Sequence, residues 1–310
     1  MKPQTGSKHF TSKLDYSVSG NTAIVEIKEK IDLRKVDPWA LCYKEWLECE
    51  HQIHVNSIQL IILHNVKYKT SEIEAFIRRI SFLNIVNPTI RFDVIVSDDN
   101  VKLLDIHSLI NRPTNEIIHQ EIGKRDGKDK PGKLEKDFQV FLFGGTILSE
   151  NMTPKNYAEI YNRLGVLGVD FYQLKNSYKV LREFPIGAFS NTVSEKDRIL
   201  PTNFIDIVSF NKRKELAVIE LKLNDPKIEV ISQLLDYALF FRAYKPQIVN
   251  LIKDNLCPAN FEKKPIACYV ANNHFHPRLK GIIKYYATDA KKFGFSLNMI
   301  TLGVTRAIWD

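Results

Sequence analysis

The chain has 310 residues, 44% of them hydrophobic and 26% charged, which excludes disordered, collagen-like and coiled-coil readings. Its formal net charge of +8 is unevenly spread: residues 1–137 carry 21 basic and 20 acidic side chains, whereas residues 138–310 carry 23 and 16. The cationic surplus lies almost wholly in the C-terminal part and implies a polyanionic partner there.

No stretch approaches the roughly 18 unbroken apolar residues of a membrane span, and Met1-Lys-Pro-Gln-Thr-Gly-Ser7 has no apolar segment for secretion. No membrane partner is therefore expected. Cys42, Cys49, Cys257 and Cys268 form no Cys-x-x-Cys pair, which fits a reducing, cytoplasmic setting. The length favours two domains, since single cores rarely grow beyond about 250–300 residues. The charged, Gly-containing run over residues 123–137 separates an N-terminal α/β domain (1–122) from a second domain (138–310).

In chain order, Ala23–Lys28 alternates as a strand, and Pro38–Gln52 is an amphipathic helix with Asp37 as its cap. Ile58–His64 is a buried strand, and Ser71–Leu83 a helix opened by a Ser71–Glu74 cap. Ile90–Val96 is a strand and Val101–Asn111 a helix, so the order predicts a layered α/β sandwich. The run from Asn21 to Asp32, with this element order, resembles the small STAS domain.

The second domain opens with a helix from Pro154 to about Lys175, with Thr153 as cap. Tyr178–Phe189 is a strand broken by Pro185 and Gly187. Asn203–Phe210 and Leu216–Lys222 form a hairpin around the polar turn Asn211–Glu215. A helix from Pro226 to about Ala243, a strand over Pro265–Ala271, a helix over Pro277–Lys292 and a strand over Leu297–Leu302 complete the order α-β-β-β-α-β-α-β.

The hairpin delivers Asp206, Glu220 and Lys222. Alternation along a strand puts Glu220 and Lys222 on one face and Leu221 on the other, with the Leu221 carbonyl still beside the carboxylates. Asp206 stands in an apolar run, where an unpaired charge is costly. Two carboxylates and a carbonyl make a hard oxygen site for Mg²⁺ or Mn²⁺, and Lys222 is suited to act on a water or on phosphate charge. The following helix carries Gln233 and Tyr237, four apart and so on one face.

Asp206, Glu220-Leu-Lys222 and Gln233-Leu-Leu-Asp-Tyr237 together resemble the PD-(D/E)xK nuclease superfamily, in particular its RecB-like branch, over about residues 150–302. The resemblance implies a restriction-endonuclease-like α-β-β-β-α-β core and metal-dependent cleavage of phosphodiester bonds, usually in DNA, in defence or repair. It implies Asp206, Glu220 and the Leu221 carbonyl as metal ligands, Lys222 as a catalytic group, and Gln233 and Tyr237 as supports for substrate and ligands. Ile205 stands where the family name has Pro. The acidic residue that the family often takes from the opening helix is Glu159 or, on the next strand, Glu183.

Glu-x-Lys alone is a weak signal, and the chain holds a decoy. Asp15 and Glu26-Ile-Lys28 repeat the triplet, but too few residues precede them for the opening elements, and no Gln-x-x-x-Tyr follows. Arg182, Lys196, Arg198 and the hairpin tip Asn211–Lys214 are basic candidates for phosphate contact or for plain solvation. His274 and His276 read as a loop, and Gly144-Gly145 as a turn. Two other readings stay open: a catalytically impaired nucleic-acid-binding protein on the same fold, and an interaction protein led by the N-terminal domain. A homodimer is compatible with all three.

Overall fold

The computed structural model describes residue 3 and residues 10–111, 117–118, 134–142, 163–172, 178–194, 196–200 and 204–303. The chain starts with a hairpin of β1 (Leu14–Ser19) and β2 (Thr22–Ile27), turned at Gly20 in the left-handed region (φ 54°). Then follow α1 (Val36–His51), β3 (Ser57–Ile62), α2 (Thr70–Val86), β4 (Arg91–Val96), β5 (Asp99–Asn100) and α3 (Ile106–Ile110). The first sheet has the order β1-β2-β3-β4-β5, with β2, β3 and β4 parallel and both outer strands antiparallel. Burial alternates along β2 and β3, so one face of this sheet packs against apolar side chains and the other is only partly covered.

The short β6 (Ile117–Ile118) precedes α4 (Leu134–Leu142), β7 (Leu181–Pro185), β8 (Ala188–Phe189), β9 (Phe204–Phe210) and β10 (Leu216–Leu221). After these come α5 (Val230–Ala243), α6 (Lys245–Ile252), β11 (Ile266–Asn272), α7 (Leu279–Ile282), α8 (Ala290–Phe293) and β12 (Phe295–Thr301). The second sheet has the order β12-β11-β10-β9-β7: β10, β11 and β12 run parallel, and β9 and β7 pair antiparallel. The protein is thus mixed α/β, with two mixed five-stranded sheets among the described residues.

Every residue of β10 and β11 is buried, because both faces of the second sheet are covered. Val208, Val218, Cys268 and Val270 face α5 and share one core with the first sheet and its helices. Ile207, Ile219, Leu221 and Tyr269 point the other way, against Phe138 and Leu142 of α4 and against Leu164, Leu167 and Phe171. Helix α5 therefore lies between the second sheet and the helices of the N-terminal half.

A buried polar cluster crosses this junction. Arg79 of α2 donates from Nε to Asp37 Oδ1 (3.2 Å), from Nη1 to both Asp236 oxygens (2.9 and 2.8 Å) and from Nη2 to the Leu33 carbonyl (2.8 Å). The second Asp37 oxygen accepts from Ser232 Oγ (2.6 Å) and the Tyr286 hydroxyl (2.8 Å). A buried guanidinium needs such saturation, since removing one partner strands a charge in the core.

Several local expectations are corrected. Asp37 does not cap α1; it lies in the first turn and serves the junction. Glu72, and not Glu74, accepts from the Lys69 amide at the start of α2 (2.8 Å). The helix expected over Val101–Asn111 shrinks to α3, which begins where Asp105 Oδ1 accepts from the Ser108 amide (2.7 Å). The helix expected to run to Lys175 is absent over 163–172, where a 3₁₀ turn, Leu164–Leu167, ends at Gly168 with φ 130°; Thr153, Pro154 and Glu159 lie outside the described residues. The helix expected over Pro277–Lys292 breaks into α7, the 3₁₀ turn Ile283–Tyr286 and α8, because Tyr285 and Tyr286 turn inward to Glu45 and Asp37.

Candidate functional site

Strands β9 and β10 pair as far as Ile207 and Ile219, and the next residues, Asp206 and Glu220, stand opposite each other on the α5 face. The Leu221 amide donates to Asp206 Oδ2 at 2.8 Å, which fixes one carboxylate on the neighbouring strand. The Asp206 carbonyl accepts from Gln139 Nε2 of α4 (2.9 Å), whose Oε1 in turn accepts from Arg182 Nε (3.1 Å). A helix on one face and a strand at the sheet edge thus hold the Asp206 backbone.

Lys222, just past the end of β10, joins the second carboxylate to its surroundings. Its Nζ lies 2.6 Å from Glu220 Oε1 and 3.6 Å from Glu135 Oε1, and donates to the Leu221 carbonyl at 3.1 Å. From the opposite side, Gln233 Nε2 of α5 donates to Glu220 Oε1 (2.7 Å) and to the Tyr237 hydroxyl (2.5 Å). Gln233 and Tyr237 are one helical turn apart, so one amide ties the sheet carboxylate to the helix.

Three carboxylates around one ammonium leave an excess of negative charge in a desolvated place. Burial, with the Asp206 carboxylate beside it, pushes the Glu220 carboxyl up to about 8 against the pull of Lys222. Burial also raises Asp206, opposed by Lys222 and the Leu221 amide and reinforced by Glu183. Glu135 is raised by burial as well, with Lys222 opposing. For Lys222, burial alone would lower the ammonium, but Glu220, Asp206 and Glu135 outweigh it and hold it above its ordinary value. Such opposed carboxylates, kept together by fold and not by mutual attraction, are the pattern of functional sites.

Asp206, Glu220, Leu221, Lys222, Gln233 and Tyr237 are therefore brought into one hydrogen-bonded cluster; the hairpin reading joined the first four, and the resemblance implied the place of Gln233 and Tyr237. Glu183 also reaches it. It occupies the β7 position opposite Asp206, between the pairs Arg182–Ile207 and Phe184–Ile205, with a left-handed φ of 49°. That conformation costs a non-glycine residue roughly 1–2 kcal/mol. Sequence reasoning missed Glu135 and Gln139, because α4 lies partly within the charged run read as a linker. A signal was there: Leu134, Phe138 and Leu142 recur at intervals of four, the period of a helix face.

Several of the remaining candidates are engaged within the chain. Arg213 of the hairpin tip is engaged by Asp170 (3.0 Å) and Glu215 (2.8 Å), and Arg198 stacks over Phe189. His276 packs edge-on against Trp39, and its Nδ1 accepts from the Arg278 amide. Gly144 and Gly145 lie outside the described residues. The hard oxygen donors expected for a cation are Asp206, Glu220 and the Leu221 carbonyl, and Lys222 Nζ contacts the last two. Among the described residues, no group of three or more His, Cys, Asp or Glu side chains is arranged to hold a metal ion.

No family model, curated protein or solved structure matches this chain.

No helix among the described residues is long and apolar enough to cross a membrane.

Proposed function

We propose that the protein is a Mg²⁺- or Mn²⁺-dependent nuclease of PD-(D/E)xK type, cleaving phosphodiester bonds, with DNA as the first candidate substrate. The observation that carries this proposal is the cross-strand pair of half-buried Asp206, fixed by the Leu221 amide, and buried Glu220, held by Lys222 on one side and Gln233 on the other. A structural salt bridge needs one carboxylate and has no use for a second one that raises its pKa. The order α4-β7-β9-β10-α5-β11 and the mixed second sheet support a restriction-endonuclease-like core.

The donor set suits a small hard cation: two carboxylates and a carbonyl, in surroundings short of positive charge. A bound divalent ion would supply Lewis acidity and an activated water. The chain's own residues have separable roles. Asp206, Glu220 and the Leu221 carbonyl would hold the ion. Lys222 would orient the attacking water or balance charge on the phosphate. Gln233, steadied by Tyr237, fixes the Glu220 carboxylate. Glu135 adds an acidic group beside Glu183, the sequence candidate that reaches the cluster.

Incubating the protein with plasmid, linear duplex, single-stranded DNA and RNA in Mn²⁺ tests this. Cleavage of at least one of them, lost in Asp206→Ala, is the expected result; no cleavage of any of them would overturn it. A second reading, a binding protein on the same fold without catalysis, is favoured by the Lys222 ammonium lying between Glu220 and the Leu221 carbonyl. Titration with Mg²⁺ or Mn²⁺ separates the two readings, because only a site that takes the ion is stabilised against heat by it.

A further inference from the structure

A cleft of about 390 Å³ opens at the junction of the two halves, away from the carboxylate cluster. One wall is α2 and the segment after β5, which contribute Arg78 and Lys102; the other is formed by Ser190 and by residues 196–199, which contribute Lys196 and Arg198. Cations thus face one another from opposite walls, an arrangement that repels across a gap. Two carboxylates share the lining. Asp197 is held within its own turn, accepting from the Thr192 amide (3.0 Å) and hydroxyl (2.6 Å). Glu74 lies 3.7 Å from Arg78 Nη1.

The guanidinium groups are already oriented. Arg78 Nη2 donates to the Ile199 carbonyl across the junction at 2.9 Å, and Arg198 lies over the Phe189 ring. Lys102 and Lys196 are exposed at the rim. Thr70, at the first position of the 17-residue α2, brings the positive end of that helix to the same cleft. Ile77, Leu104 and Ile199 add an apolar side. The volume lies at the small end of the range for small-molecule sites, about 300–1,000 Å³.

We propose that this cleft binds the phosphate of a nucleotide, with Lys102 and Lys196 closing on it from opposite walls and the apolar side accepting the base or sugar. The same chemistry has two sources, a free nucleotide or the backbone of a nucleic acid. Neither depends on cleavage at Asp206 and Glu220.

The test is equilibrium binding to the full chain in EDTA, so that the carboxylate site is not in play. The probes are adenosine 5′-monophosphate, adenosine, and a labelled 12-nucleotide single strand. The variants are the double charge reversal K102E/K196E and, as control, Asp206→Ala. Adenosine 5′-monophosphate should bind and adenosine should not, with at least about a tenfold loss in K102E/K196E and none in Asp206→Ala. If only the oligonucleotide binds, the double variant should weaken it by the same factor and reduce its log–log salt slope by about 1.4, roughly 0.7 for each phosphate of the single strand deprived of its lysine. The first pattern identifies a free nucleotide and the second a nucleic-acid backbone. Wild-type binding of both phosphate probes in K102E/K196E, or no binding of either to the wild type, would overturn the proposal. Failure here with cleavage intact leaves the nuclease reading standing, and the converse result leaves the cleft standing.

Discussion

The first sheet pairs Asp15 with Glu26 across an antiparallel ladder, with Lys28 two residues on; the second sets Asp206 against Glu220, with Lys222 two residues on. Residue types, strand direction and the Glu-x-Lys spacing are the same, while Glu26 follows Asp15 by 11 residues and Glu220 follows Asp206 by 14. In the first sheet the Lys28 and Asp15 side chains are 54% and 35% exposed, and they form an ion pair that water screens. In the second the Lys222 and Glu220 side chains are 20% and 4% exposed, and helices α4 and α5 add Glu135, Gln139 and Gln233. The same three residue types on paired antiparallel strands thus make a surface salt bridge or a charged, strained centre. What covers the strand end decides between them.

The most severe way to test that difference is to remove a carboxylate from each sheet. Asp206→Ala or Glu220→Ala should lower metal-dependent cleavage by roughly 10³-fold or more, the scale of removing a principal stabiliser of transition-state charge. Equal loss in Glu26→Ala, measured on the same substrate, would erase the contrast. Lys222→Ala should lose about 10²-fold in rate while metal affinity, followed by calorimetric titration, persists, since an ammonium is not a ligand.

The contrast sharpens with pH. The Glu220 carboxyl titrates near 8 in the folded protein and near 4.5 when unfolded, so the folded state retains a proton that the unfolded chain has released. Stability without metal therefore falls as pH rises through that window. Glu220→Gln, which cannot ionise, should match the wild type below about pH 4.5 and exceed it by a few kcal/mol above about pH 8. Thermal melts in EDTA across this range measure it, and a pH-independent difference would show that Glu220 is not desolvated. Gln233→Ala is a smaller perturbation, expected to slow cleavage about tenfold with metal affinity nearly unchanged, since an amide is a poor competitor for Mg²⁺. Smallest of all, Glu26→Gln should move stability by less than about 0.5 kcal/mol.

The parts legible in the sequence were those governed by local periodicity. Strands such as Ile58–Ile62 and Phe204–Phe210 appear where expected, and Asp206, Glu220 and Lys222 come together through the hairpin; that Gln233 and Tyr237 join them was implied by the resemblance, not by periodicity. Relations decided by distant partners were not legible. Asp37 reads as a helix cap because its neighbours in sequence say so, yet Arg79, Ser232 and Tyr286 claim it. Tyr285 and Tyr286 break an otherwise helical pattern for the same reason. Helix α4 was hidden by the Lys and Asp residues around its apolar stripe, and with it Glu135 and Gln139. Strand β1 was passed over although Leu14, Tyr16 and Val18 alternate with polar residues, the period of a half-buried strand.

The Asp37 cluster also sets a schedule. Arg79 is made soon after Asp37, but Asp236 follows Arg79 by 157 residues, and the Tyr286 hydroxyl follows Asp37 by 249. At translation speeds of about 5–20 residues per second, a ribosome needs roughly 12–50 s to travel from Asp37 to Tyr286. Through that interval the growing chain has a guanidinium and a carboxylate awaiting partners not yet synthesised, and α5 has no completed bed to settle on. Gln233 and Tyr237 ride on α5, so whatever chemistry they support is withheld from the nascent chain until its last third has been made.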